Sequence, residues 1–157
     1  MLRRASALLS LTWEERRFLA AAWALAPWAS LAIRRRGLRA VLARLETMRD
    51  RSADGGSASP PIDVARAEYL VRAAFRRTHA DPRCLPQSVV QYVLQLRWGP
   101  TPRLVVGVVE DKSARDLDRF AHAWVEAEAG PRREPSFAPI LELTPTRGVH
   151  ASSEAAR

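Results

Sequence analysis

The apolar positions divide the chain into two regimes. Up to about residue 98 they recur at helical spacing or fill long runs; beyond it they form short β-branched runs. Thr12-Trp13-Glu14-Glu15 opens the first regime as a capping box. There the Thr12 hydroxyl and the Glu15 carboxylate each satisfy a backbone N–H of the opening turn. From Phe18 to Ile33 the chain is almost wholly apolar, with Arg16 and Arg17 before the run and Arg34, Arg35 and Arg36 after it. At 1.5 Å per residue such a helix reaches only ~24 Å, short of the ~30 Å hydrocarbon core, and Pro27 interrupts it. The reading is a helical hairpin from Thr12 to about Arg49 packed on the rest of the protein. The three arginines stand where a signal peptide would place a small-residue cleavage site. A peripheral membrane contact through residues 10–40 remains compatible with the pattern.

Residues 51–61 are small, polar and rich in Gly and Pro, and read as a linker. Asp63 then caps a helix running to about Thr78, whose stripe is Val64, Ala67, Leu70, Val71, Ala74 and Phe75. A further helix is predicted from Cys84 to about Trp98, with Leu85, Val89, Val93, Leu94 and Leu96 apolar, stopped by Gly99-Pro100. Leu104 to Val109 is a strand, His122 to Ala127 a second, and Ile140 to Leu143 a weak third. Helices followed by an antiparallel run of strands make an α+β fold. The division expected is a helical region 1–50, the linker 51–61, a core 62–150 and a disordered tail 151–157.

At 157 residues and 47% hydrophobic side chains the chain has the size and apolar content of one domain. A single cysteine, Cys84, excludes an internal disulfide framework and a Cys-rich zinc site, and fits a reducing, cytoplasmic compartment. The net charge of +8 lies wholly in the first half: residues 1–83 hold 16 Arg against 8 acidic residues, whereas the remainder balances. Of 25 basic residues 24 are Arg, a skew that reflects codon usage more readily than a selected guanidinium role. With no zinc-finger, ribonucleoprotein or basic-zipper pattern beside it, the charge does not indicate nucleic acid.

Two residues carry candidate chemistry. Cys84, between Pro82 and Pro86, falls in the first turn of its helix, where free N–H groups and the helix dipole favour a thiolate. The same position also suits a small buried hydrophobe. His122 begins a strand and could take a thiol proton and return it to a leaving amine, or serve only in packing. His79, at a helix end, and His150, in a polar tail, are weaker candidates. An acid should orient the imidazole. Glu126 and Glu128 read as a solvated strand face, while Glu134 follows the Gly130-Pro131 turn and could return beside His122. Spacing alone does not choose among them.

The segments Cys84-Leu85-Pro86-Gln87-Ser88, Pro102-Arg103-Leu104-Val105-Val106-Gly107-Val108 and Ala121-His122-Ala123-Trp124-Val125-Glu126 together resemble the transglutaminase-like leader peptidases of lasso-peptide biosynthesis. Leu11-Thr12, Glu15-Arg16-Arg17 and the apolar run after them are similar to that family's N-terminal region. The resemblance implies a transglutaminase- or papain-like core, with the cysteine at a helix N-terminus packed on a small antiparallel sheet. It implies Cys84 as nucleophile, His122 as general base and then acid, and Glu134 as the acidic member. It further implies removal of a precursor peptide's leader without metal or cofactor. Residues 1–83 lack the strand patterns of a fused leader-recognition domain, so a separate leader-binding protein is the expected partner, with a macrolactam cyclase acting afterwards. Two other readings compete: a transglutaminase-like acyl transferase or deamidase, and a non-catalytic Arg-rich adaptor at a membrane surface.

Overall fold

A computed structural model of the chain describes residues 11–52, 62–78, 80, 83–109, 121–128, 130 and 137–144. Three helices precede three strands: α1 (Trp13–Ser52), α2 (Val64–Thr78), α3 (Cys84–Trp98), β1 (Pro102–Val109), β2 (Ala121–Ala127) and β3 (Phe137–Leu143). The α+β class follows directly from this order. Most of the expected linker and the whole of the tail 151–157 lie outside the described residues, and α1 extends through positions 51 and 52.

The capping box forms. Thr12 N–H donates to Glu15 Oε2 at 2.8 Å and Glu15 N–H to Thr12 Oγ1 at 3.2 Å. Glu15 also accepts from Arg66 Nε of α2 at 2.5 Å, which ties the start of α1 to the second helix. The α1 span is two helical pieces meeting at Gly37, whose φ of 75° and ψ of 164° no β-carbon tolerates easily. On either side of that break Phe18, Leu19, Ala22, Ala26 and Ala29, then Val41, Leu42 and Leu45, enter one core. Asp63 caps α2 by accepting from Arg66 N–H at 2.9 Å, and Ala67, Leu70, Val71, Ala74 and Phe75 are buried.

α3 departs from its predicted stripe. It is enclosed by α1, α2, β1 and β2, so Val90, Tyr92, Gln91 and Gln95 are buried with Val89 and Leu94, while Leu85, Val93 and Leu96 are only partly covered. The Gln91 amide is used, its Nε2 donating to the Val64 carbonyl at 3.0 Å and to Gln95 Oε1 at 3.3 Å, whereas Gln95 Nε2 is buried without a hydrogen-bond partner among the described residues. A helix surrounded on several sides loses the one-face pattern that periodicity detects.

The sheet is antiparallel in the order β2-β1-β3. β1 is central and nearly all buried, which accounts for its run of β-branched residues. Its register puts Arg103 opposite Glu126 and Gly107 opposite His122. On the β3 side Val106 pairs with Leu141 and Gly107 with Pro139, so one extra residue, Ile140, bulges outward and is 64% exposed.

Candidate active site

Cys84 is the first residue of α3. Arg83 occupies the N-cap in an extended conformation and supplies no side-chain cap, and Pro86 has no N–H to offer. The N–H groups of the opening turn therefore point along the axis beyond Cys84 with no side-chain acceptor from the cap, the arrangement that favours negative charge at a helix start. One turn further on, Ser88 Oγ donates to the Ala123 carbonyl of β2 at 2.7 Å, a buried hydrogen bond that fixes α3 against the edge strand. Because His122 adjoins Ala123, this bond sets the distance between the cysteine end of the helix and the start of β2.

The result is a cleft of about 120 Å³ between three elements. Cys84, Gln87, Ser88 and Gln91 come from α3, Glu68, Val71 and Arg72 from α2, and residues 122–125 from β2. Cys84 and His122 line the same cleft, and no hydrogen bond joins them. Catalytic hydrogen bonds commonly tighten only around substrate, so the shared cleft is the informative feature. Glu68 and Arg72 form an ion pair of 2.5 Å, one turn apart on α2, at the wall facing Cys84.

The imidazole sits in a cluster of rings. His122 stacks on Trp124 with ring centroids 5.7 Å apart and planes 16° from parallel, and Phe137 of β3 lies 5.3 Å away, tilted by 41°. Trp124 is pinned in turn. Its Nε1–H donates to Glu126 Oε1 at 2.7 Å, while Glu126 Oε2 accepts from Arg103 Nε at 3.1 Å and Nη2 at 2.5 Å. Gly107 leaves the space: a β-carbon there would stand 2.9 Å from the Trp124 ring and 3.0 Å from the Ala138 carbonyl.

This corrects one sequence expectation. Glu126 is not on a solvated face; it is 1% exposed and paired with Arg103. Its two oxygens are engaged by Trp124 and Arg103, so it orients the indole and not the imidazole. Glu134, the predicted acidic member, lies outside the described residues, as do His79 and His150. The sequence reading missed Trp124, Glu126, Arg103 and Ser88. A period of two in His122-Ala123-Trp124-Val125-Glu126 already placed the three polar-tipped residues on one strand face, but their partner Arg103 is set by strand register.

No group of three or more His, Cys, Asp or Glu among the described residues is placed to hold a metal ion. Among them no helix is long and apolar enough to cross a membrane.

A cysteine at a helix start and a histidine on a neighbouring strand thus line one cleft. The family model of the transglutaminase-like superfamily matches residues 15–142, and the chain belongs to that superfamily. No curated protein and no solved structure shows significant similarity to it. Members of the superfamily are typically cysteine-based peptidases or acyl transferases.

Proposed function

We propose that the protein is a cysteine peptidase that removes the leader from a ribosomally made lasso-peptide precursor. The observation that carries the reading is the opening of Cys84 and His122 into one cleft, with the thiol at the uncapped start of α3. The family match supports the thiol chemistry, and the resemblance of the Cys84, Gly107 and His122 segments to lasso-peptide leader peptidases supplies the substrate class.

In this mechanism the Cys84 thiol passes its proton to His122 and its sulfur attacks the scissile carbonyl. The tetrahedral oxyanion draws on N–H groups at the start of α3, including that of Cys84. Collapse breaks the C–N bond, and the imidazolium of His122 protonates the departing amine, which is the new N-terminus of the core peptide. Water, deprotonated by His122, then attacks the thioester, releasing the leader carboxylate and restoring the thiol. Glu134 is the proposed acidic partner of His122. A separate leader-binding protein presents the precursor, and a macrolactam cyclase consumes the freed amine.

The experiment is mass spectrometry of precursor incubated with the leader-binding partner and either wild-type enzyme or Cys84→Ala. A leader-sized mass loss that requires Cys84 is expected. Precursor intact in both samples, although bound by the partner, would overturn the reading. A Cys84-dependent adduct or deamidation would assign the transferase chemistry of the same superfamily instead.

A further inference from the structure

The first piece of α1 is apolar on two opposite faces. Phe18, Leu19, Ala22, Ala26 and Ala29 are buried in the core. On the other side Ala20, Trp23, Ala24, Pro27, Trp28 and Leu31 recur at three- and four-residue spacing and are all exposed, with Trp23, Trp28 and Leu31 at 36%, 37% and 49%. A helix apolar all round normally has both sides covered, and here the outer one faces solvent.

Charge marks both ends of this band. Arg16 and Arg17 lie one turn before it, Arg17 paired with Glu14 at 3.8 Å, and Arg34 and Arg35 one turn after it, all four exposed, and no acidic residue falls between Arg16 and Arg36. We propose that the band docks on an anionic membrane surface, with α1 lying in the interface plane, the two indoles entering the headgroup boundary and the arginines meeting lipid phosphates. Tryptophan favours that boundary because its ring is apolar and its N–H needs a polar partner. Size favours lipid over protein. Ala20 to Leu31 spans about 17 Å of helix about 10 Å wide, so the band offers on the order of 200 Å², against about 800 Å² per partner in a stable protein interface. Shallow insertion needs only an apolar stripe with cationic flanks. No residue of α1 lines the Cys84 cleft, so the docked protein keeps its cleft open. The inference is independent of the peptidase reading and needs no peptide substrate to test.

The test is co-sedimentation of the full chain with vesicles of phosphatidylcholine alone or mixed with phosphatidylglycerol. Binding at least about tenfold tighter to the anionic vesicles is expected, since each arginine near such a surface contributes about fivefold. Trp23→Ala with Trp28→Ala should abolish it, and Arg34→Gln with Arg35→Gln should weaken it at least about tenfold. Absence of anionic-vesicle binding overturns the proposal, as does binding that the double tryptophan variant leaves unchanged. A chain that ignores vesicles but dimerises through Trp23 and Trp28 would assign the face to a second copy. Should the variants misfold by circular dichroism, quenching of wild-type tryptophan emission by headgroup-proximal brominated lipid decides the point. Quenching is expected, and its absence overturns the proposal.

Discussion

The His122 imidazole rests on the Trp124 indole, centroids 5.7 Å apart and nearly parallel, and does not hydrogen-bond to Cys84. The two rings are two residues apart on β2, so the strand's own alternation brings them together. What holds the stack in place is more distant: Glu126 grips the indole N–H, and Arg103, across on β1, grips Glu126. The base of the proposed reaction is thus located by a buried ion pair that never touches it.

Cys84 reactivity should report on this arrangement without any peptide substrate. As the only cysteine, it is the sole site of iodoacetamide alkylation in the chain. In the Cys–His reading His122→Ala slows alkylation at neutral pH by at least about tenfold, because the thiol loses its proton acceptor. Equal rates for wild type and variant, with both chains folded, would break the functional link between the two residues.

Trp124→Leu removes the aromatic stacking surface, whereas Trp124→Phe keeps a smaller aromatic face and removes the N–H held by Glu126. Both should fold. Loss of the stack should lower kcat by about tenfold or more with KM little changed, and the Phe variant should fall between, since a displacement of about 1 Å can cost about a hundredfold. Steady-state kinetics on the precursor peptide separates kcat from KM.

Gly107→Ala places a methyl group against the Trp124 ring and against the Ala138 backbone oxygen, which cannot rotate away. Overpacking of this kind costs about 1–3 kcal/mol. A urea midpoint lowered accordingly, together with reduced turnover, is expected; a fully stable and active variant would show that the sheet yields here.

Breaking the Arg103–Glu126 pair from one side should be worse than deleting both partners. Glu126 is 1% exposed and the Arg103 side chain 18%, so Glu126→Leu strands a largely buried cation at a cost of about 3–5 kcal/mol. Arg103→Leu with Glu126→Leu should recover a good part of that loss in thermal denaturation, while Trp124 remains without its acceptor.

At the other end of the molecule Glu15 carries a pH signature. Its hydrogen bond from Arg66 holds the carboxyl below its ordinary value, against the opposing effect of burial, with further lowering from Thr12. A depressed folded-state value means that the stabilisation is complete above the unfolded carboxylate range and is lost as pH falls through the folded value. The melting temperatures of wild type and Glu15→Gln should differ at pH 7 and converge below about pH 4. A constant difference down to low pH would assign the effect to packing instead of charge.

Local signals located the elements and the two residues proposed to react. The Thr12–Glu15 box, Asp63, Gly99-Pro100 and the β-branched run of β1 act through neighbours a few residues away, so they were readable in order along the chain. The position of Cys84 at a helix start was legible for the same reason. The burial of α3 was not, because a helix contacting four elements has no single inward face for a periodic pattern to mark. Glu126 shows the limit most clearly. Alternation assigned it to a strand face, but whether that face meets solvent or a guanidinium depends on the register of β1 against β2, which no local pattern encodes. The outward apolar band of α1 belongs to the same class: its residues are plain in the sequence, and only the packing of Phe18, Ala22 and Ala29 into the core shows which side is left uncovered.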